Sequence, residues 1–202
     1  MQVMLPKGKV TAFSSPDKFH KMTILGIIAL ISGIAGVLLT IKQNIWCWPM
    51  ALVSVITSGI EFYQSKLFGD MALQVFYFVS GIYGWFFWNI KTKVLFDVSL
   101  TPRKKILPLI VFTAIQYTVY YYLLSFLKGD KIIYDAILTA LSITATYMMT
   151  KKWLENWICW VAIDFAYIGL YISKELYLYA VLYFIFAIMA FAGYLNWKKK
   201  IV

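Results

Sequence analysis

Read from one charged residue to the next, the chain shows uncharged, mainly apolar stretches at residues 22–41, 43–60, 71–90, 106–127, 136–150 and 176–197. A seventh, at 156–173, is interrupted only by Asp164. A helix that crosses hydrocarbon needs about 20 predominantly apolar residues, because each adds 1.5 Å to a core roughly 30 Å thick. The pattern therefore predicts seven membrane-spanning helices. The stretch at 136–150 is short, but Ile132, Ile133 and Tyr134 lengthen it if Asp135 sits at headgroup level. Strands of a membrane β-barrel would show segments of about 10 residues with strict alternation. These runs are longer and uniformly apolar, so the expected class is an all-α integral membrane protein.

Composition agrees. Soluble proteins carry roughly 25% charged and about 45–50% apolar residues, whereas this chain has 14% and 62%. Disorder needs the opposite balance, and two cysteines in 202 residues do not make a disulfide scaffold. The net charge of +10 is spread over short clusters between the apolar runs. That pattern matches anionic lipid headgroups rather than nucleic acid. Residues 1–21, with Pro6, Pro16 and four lysines, read as a basic tail. They lack the apolar core and small-residue cleavage site of a signal peptide, so the first span is expected to be retained. Seven spans divide the basic residues into 8 on the side of the tail and 11 on the other. Much of the smaller set lies in a tail partly beyond the reach that counts, which tilts the assignment toward the C-terminus inside. Trp85, Trp88, Trp153, Trp157 and Trp197 fall near span ends, where interfacial aromatics gather.

An internal repeat is visible. Asn44-Ile-Trp-Cys-Trp opens the second span and Asn156-Trp-Ile-Cys-Trp the sixth, an offset of 112 residues that places Cys47 and Cys159 at equivalent positions. Gly84-Trp-Phe-Phe-Trp closes the third span and Gly193-Tyr-Leu-Asn-Trp the seventh, an offset of 109. Spans 1–3 thus match spans 5–7, with span 4 as an unmatched linker. The expected segments are the tail 1–21, a first three-helix repeat 22–90, a loop and linker helix 91–131, a second repeat 132–197 and a basic end 198–202. Spans 1 and 5 are four crossings apart and run the same way, so the 3+1+3 repeat is parallel, with its pseudo-two-fold axis along the membrane normal.

At 100° per residue, Gln74, Tyr77, Gly81, Trp85 and Trp88 fall within an arc of roughly 80° on the third helix. The offset of 109 carries them onto Tyr183, Phe186, Ala190, Tyr194 and Trp197. Two aromatic faces, each with a small residue at its middle, suit a flat ring. The same pattern also suits close helix packing. Asp164 lies about eight residues into its span, where an acid costs about 2.5–3.5 kcal/mol. No Lys or Arg sits at that depth, so a cationic substrate, protonation or a hydrated cavity must offset the cost, or the acid bridges helices. Gln116 and Asn156 are uncharged groups suited to a sugar hydroxyl or to a neighbouring helix. His20, the single histidine, lies in the tail. Without another histidine or a phosphate-cradling glycine loop, the expectation is no catalytic residue, no metal site and no cofactor.

The stretch from Asn44 to Trp88, with Trp-Pro-Met-Ala at 48–51, Gly69 through Tyr77 and Gly84-Trp-Phe-Phe-Trp, resembles the PnuC family of vitamin transporters. The stretch from Glu155-Asn156-Trp157 through Lys174 to Trp197 is similar to that family's second half, so the likeness covers about residues 22–200. The resemblance implies a fold related to SWEET transporters, assembly as a homotrimer, and location in the bacterial cytoplasmic (inner) membrane. It implies facilitated diffusion of nicotinamide riboside, trapped by a cytoplasmic kinase. Trp85-x-x-Trp88 matches the family's motif directly, whereas Tyr194 replaces the first Trp in the seventh span. The expected substrate-binding residues are Gln74, Tyr77, Trp85, Trp88, Asp164, Tyr183, Tyr194 and Trp197. Thiamine, like nicotinamide riboside an aromatic cation, and riboflavin are the alternatives within the family. A structural or receptor membrane protein that uses the same stripes for packing is the alternative outside it.

Overall fold

The computed structural model describes residues 23–64, 68–91, 97–126, 132–173 and 177–201. The basic tail expected at 1–21, and Lys66, Lys128, Lys131 and Lys174 used in the orientation argument, lie outside the described residues. Seven helices follow one another: α1 (Ile24–Ile41), α2 (Cys47–Gln64), α3 (Phe68–Lys91), α4 (Arg103–Phe126), α5 (Ile132–Thr150), α6 (Asn156–Ser173) and α7 (Tyr177–Lys198). α1, α4, α5, α6 and the segment Ala180–Lys198 of α7 are long and apolar enough to cross a membrane on length and composition alone. α2 is more polar because Ser54 and Ser58 turn inward, where Ser54 Oγ donates to the Ala29 carbonyl of α1 at 2.9 Å.

The described residues form two compact units, one ending at Trp85 and the other beginning at Phe86. In the first, Thr23 caps α1 by accepting from the Gly26 amide at 2.9 Å, and its hydroxyl donates to Glu61 at 2.7 Å. The buried face of α1 carries Gly26, Ala29, Ser32, Gly33 and Gly36. Small residues let the α1 and α2 backbones approach closely. A methyl group on Gly36 would lie 3.5 Å from the Cys47 carbonyl and the Ala51 amide.

In the second unit, α5 packs against α4 and α6, and α6 against α7. The loop before α4 is strapped to the turn after α5. Leu154 N–H donates to the Ser99 carbonyl at 2.9 Å, and the Thr101 amide and hydroxyl donate to Glu155 at 2.9 and 2.7 Å. α4 buries none of its 24 residues. Large apolar side chains face outward throughout, among them Val79, Phe86, Ile110, Phe165 and Ile188. In water so many would form patches beyond what soluble proteins expose; against hydrocarbon they are in their proper solvent.

The two three-helix sets correspond at one constant offset of 109. α2 at 47–64 falls residue for residue on α6 at 156–173. The left-handed residue after α1, Gln43 (φ 57°), falls on Lys152 (φ 52°) after α5. A Cβ on Gly84 would run into the ring of Trp48, and one on Gly193 would meet the ring of Trp157 at 2.7 Å. This corrects the offset of 112 expected from the Asn44 and Asn156 signatures. Trp48 pairs with Trp157, not Trp160, and Cys47 falls on Asn156 rather than on Cys159. Tryptophan and cysteine recur at short spacing in both signatures, so letters align at the wrong register. The fit of a tryptophan ring over a glycine allows only one.

Candidate functional site

In the first unit, Gln74, Tyr77 and Gly81 are buried along one face of α3. Trp85 is half-buried and meets the exposed Trp46 edge-on at 5.8 Å between ring centroids. The Gln74 amide nitrogen is enclosed and makes no hydrogen bond to a protein atom. In the second unit the equivalent residues of α7 repeat the burial pattern: Tyr183, Phe186, Ala190 and Trp197 are buried and Tyr194 is half-buried.

The acid in the middle of α6, Asp164, is 0% exposed. Asp164 begins a face of α6 that continues one and two turns on with Tyr167 and Tyr171, both buried. Tyr167 and Tyr171 stack with their planes 23° apart, and Tyr183 of α7 closes on them at 4.7 and 5.3 Å. Phe186 meets Tyr183 edge-on at 6.0 Å. The sequence reading did not single out Tyr167 and Tyr171, although their spacing of three and seven from Asp164 marks them as neighbours on one helical face. Four residues before the acid, Trp160 is buried with its indole N–H unpaired to any protein atom, as is that of Trp157.

A second group lies near the ends of α3, α5 and α7. Trp88 is buried, donates its indole N–H to the Thr150 carbonyl at 3.1 Å and lies 6.4 Å from Trp197. Trp197 meets Trp157 edge-on at 5.3 Å. Lys152, only 7% exposed, places its ammonium 4.8 Å from the centre of the Trp88 ring. The expectation of interfacial anchors is thereby corrected for Trp88, Trp153, Trp157 and Trp197, which are buried in protein. Position near a span end cannot distinguish an indole facing lipid from one facing a neighbouring helix.

Among the described residues no group of three metal-ligating side chains occurs. What the second unit offers is a desolvated acid, a wall of aromatic rings and buried hydrogen-bond donors. An aromatic cation lying on these rings beside the carboxyl group would meet matching chemistry.

An all-helical polytopic membrane protein with an acid and aromatic rings buried in one of its units fits a membrane carrier of small molecules. The sequence model of the family described as nicotinamide mononucleotide transporter matches residues 23–199, and the chain belongs to that family. It is 25% identical over 206 residues to the nicotinamide riboside transporter PnuC of Escherichia coli (strain K12), covering 88% of this chain and 86% of that one. The protein of the same name from Haemophilus influenzae is 24% identical, covering 86% and 80%. A crystal structure of the vitamin B3 transporter PnuC shares the fold, with a TM-score of 0.68 at 20% identity over 87% of this chain and 80% of that one.

Proposed function

We propose that this protein carries nicotinamide riboside across the bacterial cytoplasmic membrane by facilitated diffusion through alternating access. Phosphorylation by a cytoplasmic kinase then makes uptake one-way, and the working assembly is a trimer. The reading draws on the riboside named for the relatives, and the observation in this chain that carries it is Asp164, buried beside the tyrosines of α6 and α7. A pyridinium ring gains about 0.5–2 kcal/mol over an aromatic face, and the Asp164 carboxyl, when ionised, would add a charge that no neutral ring has. In the second unit Asp164 and Tyr183 are proposed as one group of contacts, and Trp88, Tyr194 and Trp197, near the helix ends, as another. In the first unit, Gln74, Tyr77 and Trp85 are proposed as a separate group of contacts.

The described helices carry Lys and Arg only in their first or last turns. A phosphate beside Asp164 would meet its carboxyl group, while the buried Lys152 ammonium lies at Trp88 near the helix ends instead, which favours the riboside over the mononucleotide. Counterflow of labelled nicotinamide riboside into proteoliposomes, with nicotinamide mononucleotide, thiamine and riboflavin as competitors, tests the proposal. Exchange of the riboside, blocked poorly by the mononucleotide, is the expected result. Exchange of thiamine instead would move the substrate within the family, and exchange of none would leave the structural or receptor reading.

A further inference from the structure

At the end of the second unit where α4 begins and α5 ends, a cavity of about 350 Å³ is lined by Lys105, Pro108, Leu109, Phe112, Tyr147 and Trp153. The volume is at the lower end of the range that holds small ligands, about 300–1,000 Å³. Its apolar wall is continuous: Phe112 meets Tyr147 at 6.2 Å, and Tyr147 meets Trp153 edge-on at 5.9 Å. The strap between Ser99 and the turn at 152–154 holds Trp153 in place. α4 supplies the other wall and buries no residue of its own, so the groove opens on an exposed helix whose length and composition suit a membrane span.

The charge at this end has one sign at the groove. Arg103, Lys104 and Lys105 form the first turn of α4, where the amide ends of the helix add partial positive charge. The Lys151 ammonium lies 3.8 Å from the centre of the Phe87 ring and 5.7 Å from that of Tyr147. The nearby acid, Glu155, already accepts two hydrogen bonds from Thr101; Asp97 is exposed at the start of the strap. A cationic mouth above an aromatic and aliphatic slot, placed at headgroup level, has the two halves of a phospholipid's chemistry. Basic pockets between spans hold anionic headgroups in this way.

We propose that this groove binds one anionic phospholipid, its phosphate at Lys105 and the first turn of α4, and its acyl chain along Pro108, Leu109 and Phe112 against Tyr147 and Trp153. The basic excess of 11 against 8 lies on this side, so the lipid belongs to the cytoplasmic leaflet.

The test is native mass spectrometry of the purified full chain in detergent with phosphatidylglycerol or phosphatidylcholine added. The expected result is that wild type retains a first phosphatidylglycerol at least about fivefold more than phosphatidylcholine. Lys105→Gln should remove that preference, whereas Lys199→Gln, which removes the same charge at the C-terminal end, should keep it. Phe112→Ala should weaken both lipids. Equal retention of the two lipids by wild type, or a preference that survives Lys105→Gln, overturns the proposal. So does a change in oligomeric mass on Phe112→Ala with lipid retention unaltered, which would make the groove a contact between copies. Thermal unfolding of each variant shows that it is folded, and Lys105→Gln, at an exposed side chain, keeps the test decisive if Phe112→Ala fails to fold.

Discussion

Asp164 is the residue on which the substrate reading turns. Asn keeps its size and its hydrogen-bonding capacity but removes the charge. Charge-assisted bonds contribute about 1.5–3 kcal/mol, so Asp164→Asn is expected to weaken binding of a cationic ligand roughly 10- to 100-fold. A neutral analogue of the same shape should lose far less. Titration of both variants with the matched pair checks this, and an equal response to the two ligands would show that the acid acts as a helix bridge alone. Gly84 and Gly193 make the complementary case for packing. A methyl group there would strike the rings of Trp48 and Trp157, and overpacking costs about 1–3 kcal/mol. Each glycine-to-alanine variant should unfold several degrees lower in detergent, at roughly 2–4 °C per kcal/mol, and Trp157→Phe should restore part of the loss for Gly193→Ala. Gly169, exposed with nothing within 4 Å of its would-be Cβ, should accept alanine without loss.

At the scale of the element, α3 carries two proposed binding tryptophans three residues apart whose surroundings differ. Trp88 is buried and hydrogen-bonded to the Thr150 carbonyl, so Trp88→Ala is expected to cost about 3–5 kcal/mol of stability. Trp85 is half-buried against Trp46. Trp85→Ala should remain folded and lower substrate affinity several-fold, within the range that loss of a cation–π contact allows. Thermal unfolding and ligand titration of the two variants side by side separate the roles. Unchanged affinity in Trp85→Ala would make that ring a packing partner of Trp46 only. The equivalent positions on α7 show the same division, with Trp197 buried and Tyr194 half-buried.

For the molecule as a whole, a uniporter of a cation moves charge. An elementary charge crossing 100 mV is worth about 2.3 kcal/mol, roughly a 50-fold gradient at equilibrium. Uptake of nicotinamide riboside into proteoliposomes should therefore accelerate under a potassium diffusion potential that is negative inside, and should run without any proton or sodium gradient. Uptake that ignores the potential would mean that a compensating charge moves with the substrate. Asp164 is then the group to examine, because no other acid of the described helices lies so far from both ends of its helix.

Seven helices were legible in the spacing of charges, because in hydrocarbon each backbone amide must be satisfied within its own helix and span length is set by the bilayer. α6 begins and ends where the uncharged run does, and Asp164 stood out because a charge at that depth has a physical cost. The aromatic faces of α3 and α7 were legible too, since helical periodicity maps sequence spacing onto one side. The register of the repeat was not. It depends on which tryptophan ring fits over a glycine of the next helix, a contact between residues 36 apart in each copy. Nor could the sequence say which indoles face lipid and which face protein, because both surroundings are apolar and accept the same residue. Tyr167 and Tyr171 joined Tyr183 only once α6 and α7 were packed, as Lys152 reached Trp88 only through the left-handed turn after α5. Solvent and distance along one helix are written in the sequence; partners across helices are decided by packing.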